Sequence, residues 1–306
     1  MGFTVTFWGV RGTVPCPMAS HLEYGGNTSC IEVTAGDRTL VLDAGTGLRS
    51  LGKSLRARGV CDVTLLLTHT HIDHINGFPF FEPCYCPDFS MRVMAGHCQG
   101  AHCIQSVMEK PMDSCLFPVP LQKLRASLVF EDFRPGATLD LGDGITVRTA
   151  PLNHPGGGTG YRIDYEGRSF CYVTDTEHDP DRMDTNVLGL IQGADLVAYD
   201  SSYTDEEFAG RRGWGHSTWR EGLRLARAAG VGRLCLFHHD PDHDDARMKA
   251  IEAEAQQEWS HCFAAREGLQ VDMMAQRDLG SAAGQKDDPK ADPSKGAPSK
   301  GTGVAA

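Results

Sequence analysis

The chain alternates short apolar runs with Gly- and Asp-rich turns, and the apolar positions change period from two to about three and a half along its length. Phe3-Thr4-Val5-Thr6-Phe7-Trp8 alternates as a half-buried strand does, and residues 28 to 34 and Thr39-Leu40-Val41-Leu42 continue in the same mode. Residues from about Leu48 to Arg58 carry the helical spacing. Val63-Thr64-Leu65-Leu66-Leu67 is a continuous apolar run of strand length, the signature of a strand covered on both faces. In the second half, Thr146-Val147-Arg148-Thr149 and a hairpin of Tyr161–Asp164 with Ser169–Val173 through Glu166-Gly167 predict strands. Further strands are expected at Ala194–Asp200 and Leu234–Phe237, with a short one at Val271–Met274. A helix opens after Gly215-His216-Ser217-Thr218 and runs to about Ala229, with Ser217 or Thr218 as its cap and Glu221 in its first turn. Another helix is expected over about 244–266. Strands interleaved with helices in this order predict an α/β domain built from packed layers.

Six residues concentrate the chemistry. Directly after the buried strand, His69-Thr70-His71-Ile72-Asp73-His74 places three imidazoles and a carboxylate on a strand-to-helix turn. His69 and His71, two apart on extended backbone, share a face, whereas Asp73 and His74 lie past the bend and address a second position. That arrangement suits two metal ions about 3.5–4 Å apart. A lone histidine beside a helix is usually a cap or a core residue, but four ligand types at this spacing point to metal.

His69-Thr-His71-Ile-Asp73-His74 matches the HxHxDH motif, and on it the chain resembles the metallo-β-lactamase superfamily from Phe3 to about Leu279. The resemblance implies an αββα sandwich; the aromatic, Met and Pro residues of 79–135 suggest a lid over the site, and the Gly-, Ser-, Pro-, Lys- and Asp-rich residues 280–306 a disordered tail. The resemblance is narrowed to the ribonuclease Z and cyclic-phosphodiesterase branch by His216-Ser217-Thr218 and by the strand ending in His238-His239-Asp240. On this resemblance, His69, His71 and His154 hold one metal, Asp73, His74 and His238 the other, and Asp175 bridges them. Asp43 is expected to support the centre from behind, with Gly45 and Gly47 allowing close approach of its loop, and His239 is expected to face away. The metals are expected to be zinc, with manganese and iron open because carboxylates join the set. Together they would acidify a shared water and clamp a phosphoryl oxygen. The resemblance makes His216 the general acid, with Asp200 holding its tautomer.

Composition changes the picture of the substrate. The net charge is −11, and the four Lys and three Asp of the tail leave −12 on residues 1–279. A body this acidic argues against extended contact with a phosphate backbone. In ribonuclease Z the arm that grips tRNA lies between the third histidine and the bridging aspartate, but here only the hairpin fits into the 21 positions from His154 to Asp175. Trp8-Gly9-Val10-Arg11-Gly12 and Tyr24-Gly25-Gly26-Asn27-Thr28 resemble cyclic nucleotide phosphodiesterases of this fold. The expectation is therefore a di-metal phosphodiesterase acting on a small cyclic phosphodiester, first of all a 3′,5′-cyclic nucleotide, without a nucleic-acid polymer as partner. Arg11, Asn27 and Gly157 are the candidate substrate contacts. The alternatives are a phosphodiesterase for phosphoribosyl cyclic phosphate or RNA 3′ ends, and a non-hydrolytic di-iron sensor, which usually has Glu in place of His71.

The eleven cysteines, an odd number, predict reduced thiols and a cytoplasmic protein, with Cys16, Cys30, Cys61, Cys171, Cys235 and Cys262 in the core. Cys84, Cys86, His97, Cys98, His102, Cys103 and Cys115 crowd the lid without a paired C-x-x-C spacing, so a structural zinc there competes with ordinary reduced thiols. No apolar stretch reaches the roughly 20 residues of a membrane span, and a homodimer is expected from the resemblance alone.

Overall fold

The computed structural model describes residues 2–98 and 103–275, which lie, up to Met274, in one compact unit. The predicted disordered tail (280–306) and His102 lie outside the described residues. The first half of the chain supplies strands β1 (Phe3–Gly9), β2 (Cys30–Ala35), β3 (Arg38–Leu42), β4 (Asp62–Leu67), β5 (Ser90–Ala95) and β6 (Ser127–Asp132). The second half supplies β7 (Thr138–Asp140), β8 (Thr146–Leu152), β9 (Gly158–Tyr165), β10 (Arg168–Val173), β11 (Leu196–Asp200), β12 (Arg233–Phe237) and β13 (Cys262–Ala264), and β14 (Gln270–Asp272) returns to pair with β1. Two seven-stranded sheets result, in the orders β14-β1-β2-β3-β4-β5-β6 and β13-β12-β11-β10-β9-β8-β7. Each begins as an antiparallel meander and continues as parallel strands.

Three apolar layers hold the sheets together. Phe3, Val5 and Phe7 of β1 alternate inward and meet Tyr161, Ile163, Tyr172 and Phe237 of the opposite sheet. In β4, Leu66 joins this central layer, while Val63, Leu65 and Leu67 face the outer layer under helix α1 (Leu48–Arg58). That division explains why the run had no polar alternation. Helix α1 buries Leu48, Leu51 and Leu55 and stops at Gly59, whose left-handed φ of 71° lets its N–H return to the last carbonyls. Over the second sheet lie α4 (Thr185–Ile191), α6 (Trp219–Ala228) and α7 (Asp245–Glu258), the outer layer on that side. The short helices α2 (Ile72–Ile75), α3 (Ile104–Glu109) and α5 (Asp205–Phe208) lie in the connections. The architecture is the expected αββα sandwich. No helix among the described residues is long and apolar enough to cross a membrane.

Several local readings change. Within 79–135, Ser90–Ala95 and Ser127–Asp132 are parallel strands that extend the first sheet, so the span is partly framework. The helix expected over 244–266 ends at Glu258, because Cys262-Phe263-Ala264 pairs with Leu234–Leu236 as an edge strand. Cys61 is exposed, whereas Cys16, Cys30, Cys171, Cys235 and Cys262 are buried. All eleven cysteines are free thiols.

Leu66 has no solvent exposure and faces the layer between the sheets. Leu66→Ala is expected to lower unfolding stability by about 2–5 kcal/mol, read as a reduced urea midpoint with an unchanged m-value.

Candidate metal centre

The site gathers at the carboxyl ends of strands, where open α/β sheets present their ligand-binding crevices, with His71, Asp73 and His74 carried on the start of the short helix α2 that follows β4. Asp43 follows β3, His69 follows β4, His154 follows β8, Asp175 follows β10, Asp200 ends β11 and His238 follows β12. Asp43, Asp175 and His238 adopt left-handed backbone, with φ of 60°, 54° and 62°. These conformations reverse the chain abruptly as it leaves each strand.

The imidazoles are held from behind. Nδ1 of His154 lies 2.8 Å from the carbonyl of Gly215, and Nδ1 of His74 lies 2.8 Å from Oδ2 of Asp43. Neither oxygen can donate, so both histidines carry their proton on Nδ1. The hydroxyl of Thr68 donates to Asp43, which leaves its oxygen to accept from Nδ1 of His69 at 3.1 Å. The hydroxyl of Ser202 is likewise 2.8 Å from Oδ1 of Asp200 and 3.0 Å from Nδ1 of His238. All four rings therefore turn Nε2 toward one space, and at His74 burial is outweighed by the carboxylates of Asp175, Asp73 and Asp43, which raise its pKa well above the ordinary value.

Carboxylates converge there too. Oδ1 of Asp175 lies 3.2 Å from Nε2 of His74 and 3.1 Å from Nε2 of His238, while its Oδ2 lies 3.6 Å from Nε2 of His69 and 3.8 Å from that of His154. One carboxylate thus faces both sets of imidazoles, as a bridging ligand must. Oδ2 of Asp73 is 3.3 Å from His74 and 3.5 Å from His238. His71 is exposed and presents Nδ1 3.0 Å from Nε2 of His154. His69, His71 and His154 form one metal-competent group, and Asp73, His74 and His238 form another. Among the described residues, no metal-competent group contains a cysteine.

The donor set fits cations. Nε2 of His69, His74 and His238 is buried without a hydrogen-bond partner, an arrangement that is costly unless something electron-poor occupies the space between. Burial pulls the pKa of His69 down, helped by neighbouring imidazoles, so it stays neutral. Burial opposes ionisation of Asp175, but His238, His74 and His69 outweigh it and hold that carboxyl below its ordinary range. Asp73 follows the same pattern: burial is overcome by His74 and His238.

His216 is set beside this cluster. Its Nδ1 donates to Oδ2 of Asp200 at 3.0 Å, and its ring stacks on His238 with centroids 4.9 Å apart. Burial lowers its pKa, but Asp200 and Asp175 more than compensate and bring it to about 9. Asp200 is itself held by Ser202 and the Thr176 N–H. His239 points away, with Nε2 donating to the Ala265 carbonyl at 2.9 Å.

The three expected substrate contacts are placed differently. Arg11 is fully buried, and its guanidinium donates to the carbonyls of Gly25, Asp240 and His243, which makes it a brace between loops and removes it from contact with a ligand. Asn27 is clamped to Glu267 through its backbone N–H and its carboxamide. The N–H of Gly157 is used in a turn to the His154 carbonyl, while its Cα lines a cavity of about 770 Å³ beside the cluster.

Other residues at the site were missed along the sequence. The N–H of Thr13 donates to Oδ2 of Asp73 at 2.8 Å, and the Tyr172 hydroxyl donates to Oδ2 of Asp43 at 2.9 Å. Thr13 carried no signal, and Tyr172 stands in a strand that is apolar on both faces, so only the fold shows which layer it enters. Two glycines are required by close approach. A Cβ at Gly215 (φ 88°) would lie 2.3 Å from Nδ1 of His154, and one at Gly45 would lie 2.5 Å from the Asp73 carbonyl oxygen.

With this geometry in hand, comparison with known proteins defines the class. The profile of the beta-lactamase superfamily domain matches residues 38–239, and the chain belongs to that superfamily. Its fold is that of the metallo-beta-lactamase fold protein YhfI from Bacillus subtilis, with a TM-score of 0.66 at 20% identity over 88% of this chain and 98% of that one. Human tRNase Z, short form, superposes with a TM-score of 0.62 at 17% identity, covering 88% and 99%. In sequence the chain is 41% identical over 97 residues to ribonuclease Z of Brevibacillus brevis, a match covering 30% of this chain and 28% of that protein. The matched stretches span about a third of the length of the ribonuclease Z relatives from Porphyromonas gingivalis and Brevibacillus brevis.

Asp43→Ala removes the acceptor shared by Thr68, His74 and Tyr172. Metal affinity is expected to fall about 10–100-fold, measured by titrating metal out with a chelator and assaying the content of the recovered protein. Gly215→Ala is expected to weaken only the ion at His154.

Proposed function

We propose that the protein is a di-metal phosphodiesterase with ribonuclease Z-like chemistry, acting on the 3′ end of an RNA. The observation that carries the reading is the pairing of two imidazole–carboxylate groups around Asp175 with the buried Asp200–His216 couple at their edge. The partial similarity to ribonuclease Z supports RNA over the polymer-free reading drawn from net charge. His69, His71 and His154 would hold one ion, and Asp73, His74 and His238 the other, with Asp175 facing both; zinc suits a set dominated by imidazole. When bound, two such ions withdraw charge from a phosphoryl oxygen and acidify water.

The chain's own residues do the rest. Asp43, Thr68, Ser202 and the Gly215 carbonyl hold Nδ1 of His74, His69, His238 and His154 from behind, so the Nε2 atoms of these four rings face inward before any ligand arrives. Thr13 orients Asp73 in the same way. His216 holds a proton that Asp200 stabilises, and its Nε2, the nitrogen not bonded to Asp200, delivers that proton to the departing alkoxide.

A second reading, hydrolysis of a small 3′,5′-cyclic diester, is favoured by one observation: only the β9–β10 hairpin lies between His154 and Asp175. Purified protein of known metal content is to be assayed on a tRNA precursor, on 3′,5′-cyclic nucleotides and on bis(p-nitrophenyl) phosphate. Precursor cleavage lost in Asp73→Ala supports the first reading, and turnover of cyclic nucleotides alone replaces it with the second. His216→Ala is expected to retain metal and lose about 10²–10⁴-fold in kcat on substrates with poor leaving groups, with a smaller loss on the p-nitrophenyl ester. Inertness on all three substrates with metal bound would overturn both.

A further inference from the structure

The cavity beside the cluster is walled on one side by the ligand-bearing segments themselves. Thr70 and Ile72 alternate with His69 and His71, and Gly156 and Gly157 follow His154. The facing wall comes from α3 and the segment after it, through Val107, Lys110, Pro111 and Leu116. Its volume of about 770 Å³ falls within the roughly 300–1,000 Å³ of small-molecule sites. Both glycines have left-handed φ, 84° and 83°, and nothing lies within 4 Å of a Cβ built on either, so that wall is open.

The chemistry of the lining is uneven. Most of it is aliphatic, and Ile72 and Leu116 are 63% and 73% exposed at its edge, unusual for large apolar side chains on an acidic protein. The polar groups are few: Lys110 is exposed at the wall, and the Thr70 hydroxyl is bonded to Nε2 of His97 at 2.9 Å. Nδ1 of His97 is buried and unpartnered, a polar handle left over beside the cavity. Such a lining fits a flat ring whose faces pack on apolar side chains and whose edge carries hydrogen-bonding groups, acceptors toward Lys110 among them.

We propose that this cavity is the nucleoside subsite of the enzyme: it receives the base of the nucleotide whose phosphate lies at the metal centre, with the Lys110 ammonium donating to an acceptor on the edge of the base. The inference rests on the phosphodiesterase reading and assigns specificity to the 104–116 segment. A base can arrive on a cyclic nucleotide or at the 3′ end of an oligonucleotide. Both present the same chemistry to the cavity.

The test separates binding from turnover. The full-length protein is titrated with 8-anilinonaphthalene-1-sulfonate, an aromatic anion, and the fluorescence is competed with adenosine monophosphate. Val107→Trp fills the cavity; Leu116→Glu places a negative charge at its edge and Lys110→Glu reverses one, and, as exposed positions, both leave the core alone. All three are expected to weaken adenosine monophosphate competition at least tenfold, and to raise KM at least tenfold with kcat within twofold. A KM effect confined to cyclic nucleotides or to oligonucleotides identifies which of the two brings the base. If the nucleotide displaces the dye equally from wild type and all variants, or KM is unchanged in every variant while turnover persists, the subsite assignment falls and the phosphodiesterase reading stands. If competition depends on the three residues but no diester is hydrolysed, the reaction assignment falls and the nucleotide site stands.

Discussion

The buried carboxylate of Asp43 is the constraint on which the site depends. It accepts from the backbone and hydroxyl of Thr68 at the end of β4, from Nδ1 of His74 beyond it, and from the Tyr172 hydroxyl on the opposite sheet. A carboxylate with no exposure is tolerable only with its oxygens fully engaged. Those partners bring the ends of β3, β4 and β10 to one point. The same bonds fix the tautomer of His74 and, through Thr68, of His69. The orientation of the ligands is thus a consequence of how the two sheets are pinned together.

Around that point, the reversals at Asp43, Asp175 and His238 are the local concession. Left-handed backbone in residues other than glycine costs of order 1–3 kcal/mol each, and here three instances gather where strands deliver side chains into one crevice. The flanking sheets supply the compensating rigidity, through central residues such as Phe7, Leu66, Tyr161 and Phe237, none of them exposed. A site on pinned strand ends is preorganised; its outer wall, from α3 to Leu116, belongs to connections between strands and is free to vary without disturbing the ligands.

Electrostatically the cluster is a set of mutual dependencies. Buried imidazoles keep Asp175 and Asp73 ionised, and Asp200 keeps His216 protonated, so each group's charge state is set by its neighbours. The unpartnered Nε2 atoms of His69, His74 and His238 mark the incomplete part of this network. Cations would complete it, and His216, the proposed general acid, stands at the edge of the candidate ligands rather than among them.

Much of this was legible along the chain because the signals are local. The strand–turn–helix around His69–His74, the helix Leu48–Arg58 and the hairpin through Glu166-Gly167 follow from neighbouring residues, and the expected ligand residues do come together in the fold. The run Ser90–Ala95 was absorbed into the lid because it is short and stands among prolines, cysteines and aromatic residues, and Cys262–Ala264 into a helix because its strand partner lies far away in the chain. Arg11 looked like a phosphate contact; only the folded chain shows its guanidinium spent on three carbonyls. Which residues are the candidate ligands was thus determined by the sequence itself. Their tautomers, the convergence of Asp175 on both groups and the cavity walled by the 104–116 segment were decided by tertiary structure, because these depend on hydrogen bonds and packing between residues distant in sequence.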